Sequence, residues 1–265
     1  MSSTHPTPQP TAFAELNGVL ADLVTSSSRI LGDNLAGAYL QGSFAVGDAD
    51  LYSDCDFLIP VHSPLTGEQE AGLRALHDDL PTREGHWTRH LEGSYPLLAD
   101  LRSLDGLGRE WLFVDHGWRE MQWSTHCNTE VARWSLRERG VVLAGPPPSS
   151  FMEPVPADSV RTRMRQEIPD VVADITSWIS LDVAWGQRYL VTTVCRMLYS
   201  LATGEVTSKK GSLRWASQEL DARWRPLLTQ VAEDRPLGFD LEERTLPESV
   251  EQALALAEEA ARLAR

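Results

Sequence analysis

Apolar residues recur at helical spacing over residues 13–31, which reads as an amphipathic helix. An apolar run at 35–40 then reads as a strand, Gly42-Ser43 turns the chain, and a second run at 57–61 reads as a strand entered through Asp54-Cys55-Asp56. Thr66-Gly67-Glu68-Gln69 is a capping box for a helix running to about residue 80. A strand around Glu92 follows, then two strands at 111–114 and 120–123 about a His116-Gly117 turn. Residues 129–139 read as a helix that ends at Gly140, with Asn128 as its cap. Three consecutive prolines, Pro146 to Pro148, cannot continue a helix or a central strand, so the domain boundary falls there. Beyond it the pattern is helical only: 159–178, split or kinked at Pro169; 187–202, ended by Gly204; 211–220; 223–232; and 249–265, where Ser249 and Gln252 form a second capping box. The expected layout is a disordered tail over 1–12, an α/β domain with a mixed sheet over 13–148, and an all-α domain over 149–265.

The densest chemistry lies between the first two strands. Gly42-Ser43 is followed by ten residues and then by Asp54-x-Asp56 entering the apolar run. Strand side chains alternate, so Asp54 and Asp56 face one way and Cys55 the other. Two carboxylates side by side repel unless a cation lies between them, and oxygen donors of this kind suit Mg²⁺ together with substrate phosphates. A glycine-bearing turn that opens a helix can present backbone N–H groups to a phosphate. Taken singly, each feature has a plainer reading: two solvated acids, and a turn serine that caps a helix.

Together these residues resemble the polymerase-β-like nucleotidyltransferases, which move a nucleotide from a nucleoside triphosphate to an acceptor hydroxyl. The resemblance implies a third carboxylate on a neighbouring strand. Glu92, 36 residues past Asp56, fits that place, with Glu84 a weaker competitor. The segment 141–146 and the helix 188–200 with Thr203, Gly204 and Lys209 resemble the streptomycin/spectinomycin adenylyltransferases, so the likeness covers most of residues 35–230. It implies an α+β fold: a nucleotidyltransferase domain with a mixed sheet, then a helical-bundle domain. It implies ATP as co-substrate and Mg²⁺ held by Asp54, Asp56 and Glu92, with Glu92 also the general base. Gly42, Ser43, Ser53, Arg196 and Lys209 become nucleotide contacts. The streptomycin-modifying relatives carry an acid just before the arginine of the second-domain helix. Here Gly186-Gln187 precede Arg188, and the nearest acid is Asp182. The implied acceptor is therefore an aminoglycoside or aminocyclitol antibiotic of the spectinomycin type rather than streptomycin. The alternatives are another small molecule, or a protein or RNA acceptor.

Composition narrows the partners. With 24 Lys and Arg against 38 Asp and Glu, the net charge is −14, which disfavours polymeric nucleic acid and suits a cationic small acceptor. Cys55, Cys127 and Cys195 have no metal-ligand spacing and an odd count, as expected of a chain in a reducing cytoplasm. No apolar run is long enough to span a membrane, and a monomer is expected. The nine tryptophans should be mostly core. Of these, Trp111, Trp118, Trp123, Trp178 and Trp185 are candidates to stack on a ligand.

Overall fold

Short strands, the inner ones buried along almost their whole length, organise the first half of the chain. The computed structural model describes residues 9–265, so residues 1–8 of the expected tail lie outside the described residues. The chain forms two units, Met1–Ala49 with Ser53–Pro154, and Asp50–Tyr52 with Val155–Arg265. The elements of the first run α1 (Ala14–Leu31), β1 (Ala38–Leu40), α2 (Gly42–Ala45), β2 (Cys55–Leu58), α3 (Gly67–Asp79), β3 (Leu91–Tyr95), α4 (Leu98–Leu101), β4 (Trp111–Val114), β5 (Gln122–Ser124), α5 (Glu130–Arg139) and β6 (Val141–Ala144). They build a six-stranded mixed sheet of order β5-β4-β3-β2-β1-β6. Among the named strands of the described residues, β2 and β3 alone pair in parallel; that pairing needs a crossover, which α3 supplies.

The two faces of the sheet carry separate cores. Leu16, Leu20 and Leu23 of α1 and Leu73 of α3 pack against Cys55, Phe57, Leu91 and Tyr95. On the opposite face Leu58, Trp111 and Phe113 pack with Leu101, Cys127 and Leu136. Strand alternation therefore puts Asp56 and Glu92 on the second face, the one carrying Leu58. Thr66 and Gln69 form the capping box expected at the start of α3. Thr129, not Asn128, caps α5; its hydroxyl accepts from the Ala132 N–H at 3.1 Å. Asn128 is buried instead, donating to the carbonyls of Gly106 and Arg109 and accepting from Arg133.

The second unit is helical: α6 (Ala157–Glu167), α7 (Val171–Thr176), α8 (Ala184–Thr203), α9 (Lys209–Glu219), α10 (Arg225–Asp234) and α11 (Pro247–Leu263). Among the described residues it holds no strand, only an isolated bridge between Val183 and Arg244. Pro169 breaks the first helical stretch, leaving a 3-10 turn at Ile168–Asp170 between α6 and α7. The central helix, α8, buries Leu190, Val191, Val194, Cys195 and Leu198 and packs against α6, α9 and α11. It ends at Gly204, whose φ of 75° is the left-handed cap conformation. Ser249 lies inside α11 rather than capping it; Pro247 opens that helix, where its missing N–H has no helical partner to lose. The segment Asp50–Tyr52 is held within this unit by an ion pair of 2.8 Å between Asp50 and Arg235. No helix of the described residues is long and apolar enough to cross a membrane.

Candidate active site

The turn after β1 is built around one glycine. Gly42 takes a φ of +57°, a conformation that side chains other than glycine's adopt at a cost. Its missing Cβ is also a steric requirement: a Cβ there would overlap Oδ2 of Asp56 and lie 2.7 Å from its Cγ. The Asp56 carboxylate is thus seated against the Gly42 backbone. The Gln41 N–H donates to the Asp56 carbonyl at 2.9 Å, fastening the turn to β2. Phe44 of α2 packs against Trp87 and Phe13, with ring centroids 5.7 and 6.2 Å apart, which anchors the short helix carrying Ser43. Ser53 is fully buried just ahead of the aspartates.

Strand register completes the carboxylate group. Asp56 of β2 stands directly opposite Glu92 of β3, and Asp54 lies just before β2. The structure therefore brings Gly42, Asp56 and Glu92 together on the sheet face that the sequence pattern requires. The Glu92 side chain is only 13 % exposed and forms an ion pair of 3.3 Å with Nε2 of His126. That contact raises the His126 pKa. His126 rests on the ring of Phe113, 5.1 Å between centroids, and its segment is pinned by buried Asn128. Arg133, itself buried, donates to Asn128, Asp100 and Ser103 and lies over Trp111.

Two further histidines reach this region. Nδ1 of His116 bonds Oδ1 of Asp54, and that bond raises the imidazole's pKa. His90 precedes β3, and burial, with its histidine neighbours, lowers its pKa to about 4. Neither carries a sequence motif: His116 reads as part of a turn, and His90 simply adjoins a strand. The period-2 spacing of His90 to Glu92, matching Asp54 to Asp56, was the one signal available.

Arg196 and Lys209 lie on the helical unit. Arg196 is half-buried on α8 between Cys195 and Met197, and Lys209 is the first residue of α9, behind the Ser208 cap that accepts from the Gly211 N–H at 2.9 Å. Arg188 is buried and donates to Glu243 at 2.9 Å and to the Gly238 carbonyl at 3.1 Å. Gln187 before it is buried, while Asp182 is exposed. Trp178, Trp185, Tyr189 and Phe239 form a ring cluster with centroids 4.7–5.7 Å apart, in which Trp178 and Phe239 are exposed. Trp111 is core, whereas Trp118 and Trp123 are exposed.

Comparison with known proteins bears on the fold and the family resemblance. Residues 150–261 match the family described as aminoglycoside adenylyltransferase, C-terminal domain. The chain is 25% identical over 239 residues to an aminoglycoside (3'') (9) adenylyltransferase of Rhizobium radiobacter, covering 82% of each. It is 25% identical over 222 residues to a spectinomycin 9-adenylyltransferase of Campylobacter jejuni, covering 80% of this chain and 82% of that protein. The fold superposes on the crystal structure of a spectinomycin adenyltransferase from Enterococcus faecialis, determined with ATP and spectinomycin. The TM-score is 0.68 at 15% identity, over 94% of this chain and 99% of the other. The fold class, the resemblance to the streptomycin/spectinomycin adenylyltransferases and the reading of the chain as a nucleotidyltransferase-type enzyme are borne out.

Proposed function

We propose that this chain transfers AMP from ATP to a hydroxyl of an aminoglycoside or aminocyclitol antibiotic, with a spectinomycin-type acceptor favoured over streptomycin. The observation that carries the proposal is the Asp56–Glu92 register pair on parallel neighbouring strands, with the Asp56 carboxylate seated on Gly42. The donor set supports Mg²⁺: Asp54, Asp56 and Glu92 offer hard carboxylate oxygens, and Gly42 leaves the Asp56 carboxylate room. Bound there, Mg²⁺ would neutralise charge on the triphosphate and on the leaving group.

The remaining work falls to the chain's own groups. Glu92, shielded from solvent and oriented by His126, takes the proton of the acceptor hydroxyl. The hydroxyl oxygen attacks the α-phosphorus, a new P–O bond forms as the bond to the bridging α–β oxygen breaks, and pyrophosphate leaves with that electron pair. The Gly42-Ser43 turn offers backbone N–H groups and a hydroxyl to the phosphates. Gly186 and Gln187 leave the start of α8 without the acid that cationic groups of streptomycin would need, and Arg188 is already matched by Glu243.

The test is mass spectrometry of an aminoglycoside and aminocyclitol panel after incubation with ATP and Mg²⁺. The expected result is one added AMP on spectinomycin and little or none on streptomycin. Efficient modification of streptomycin overturns the acceptor preference, and no AMP adduct on any acceptor overturns the proposal.

A further inference from the structure

Asp54, His90 and His116 converge at one end of the sheet, and the transfer chemistry uses neither imidazole. Asp54 immediately precedes β2, His90 immediately precedes β3, and His116 lies two residues past β4. Because β2 and β3 run parallel while β4 runs antiparallel to β3, these three positions fall at the same end of the sheet. One donor atom from each residue lies within 4.8 Å of the other two. The rings of His90 and His116 meet edge to face with centroids 4.6 Å apart, and His86 stacks on His90 at 4.1 Å, which fixes the ring's orientation. Nδ1 of His90 is buried and meets no hydrogen-bond partner among the described residues. A buried polar nitrogen left without a partner is costly, and a metal ion is one species that satisfies it.

We propose that Asp54, His90 and His116 form a binding site for a divalent transition-metal ion of the zinc kind. Two imidazoles and one carboxylate, with a position left for water, is a donor set zinc favours. Mg²⁺ selects oxygen donors and gains little from imidazole. The site shares Asp54 with the proposed Mg²⁺ site, so the two ions compete for that carboxylate. Zn²⁺ is then an antagonist of Mg²⁺ at the head of β2. Occupancy itself does not depend on the transfer reaction and is measurable with no nucleotide present.

The full chain, stripped of metal by a chelator, is titrated with Co²⁺ as a spectroscopic substitute for Zn²⁺. The expected result is a visible absorption band that saturates at one ion per chain, is bleached by Zn²⁺ and persists in a large excess of Mg²⁺. His90→Ala and His116→Ala should each weaken Co²⁺ binding by about 10-fold or more, with circular dichroism reporting that the variants are folded. Pulsed electron paramagnetic resonance of the Cu²⁺-loaded wild type gives a readout that needs no variant. Coupling to two imidazole nitrogens supports the site. Absence of the cobalt band, superposable titrations of wild type and both variants, or no imidazole coupling overturns it. A chain that binds Co²⁺ in this way yet transfers no AMP refutes the transfer reaction alone; one that transfers AMP without the cobalt band refutes the metal site alone.

Discussion

Gly42→Ala tests the seat of Asp56 with the smallest possible change. Two costs are separable. The first is conformational: an L-residue held at a φ of +57° loses roughly 1–2 kcal/mol. In a chain of this size that lowers the melting temperature by about 2–8 °C. The second is steric: the added methyl overlaps Oδ2 of Asp56 and would stand 2.7 Å from Cγ, below any real Cβ contact. Reaching ordinary van der Waals separation takes a displacement of the carboxylate of about 1 Å. A misplacement of that size in a catalytic group costs about 10²-fold in rate. The expected outcome is a folded protein, slightly less stable by differential scanning calorimetry, with kcat for AMP transfer down about 10²-fold. Turnover within a factor of two of wild type would show that the Asp56 position is not tied to the Gly42 backbone, and the argument would fail. Outright loss of folding would show that the strain is larger than the φ and contact together imply.

Asp54→Ala and Asp56→Ala should each abolish transfer while leaving the thermal melt near that of wild type, since the Asp54–His116 pair is half-exposed and worth about 1 kcal/mol or less; normal turnover in either variant contradicts their role. Glu92→Gln should keep ATP–Mg²⁺ binding by calorimetry and lose transfer by about 10²–10⁴-fold; loss of ATP binding as well would make Glu92 chiefly a metal ligand. His77 is fully enclosed, stacked on Phe57 and bonded to the Tyr95 hydroxyl at 2.8 Å, and burial lowers its pKa to about 3. The unfolded chain therefore binds a proton that the folded chain refuses. The His77 contribution is intact above pH 6.5 and is lost as pH falls toward 3, by about 1.4 kcal/mol per pH unit. Urea unfolding across pH 4–6.5 should show a shallower slope for His77→Gln than for wild type, and equal slopes would refute the assignment. Asn128→Ala should cost about 1–3 kcal/mol by removing the side-chain acceptor of buried Arg133; an unchanged denaturation midpoint would contradict that.

The sheet was legible because its inner strands are short apolar runs bounded by clear turns, the pattern of strands covered on both faces. Pro169 and Gly204 likewise marked real breaks, because each acts through backbone geometry that no packing overrides. Caps were less legible. Ser249 with Gln252 matches the capping pattern, but the helix extends two residues earlier through Pro247, and only tertiary packing decides between the two starts. Asn128 looked like a cap and is instead the acceptor for Arg133, a contact with no signature in the local sequence. His90, His116 and His126 come to the carboxylates from three different strand ends, through register and loop paths that a linear pattern does not encode. The resemblance to known adenylyltransferases supplied the pairing of Glu92 with Asp56; spacing alone left Glu84 in contention.

The most direct test of the central claim is a stoichiometric transfer assay on wild type and Asp56→Ala side by side. Each is incubated with ATP, Mg²⁺ and spectinomycin, and AMP–spectinomycin and pyrophosphate are quantified together by liquid chromatography–mass spectrometry and a coupled pyrophosphate assay. Wild type should yield the two products in equal amounts, and Asp56→Ala, still folded, should yield neither. An adduct formed equally well by Asp56→Ala, or no adduct from wild type, would contradict the assignment of this carboxylate group to adenylyl transfer.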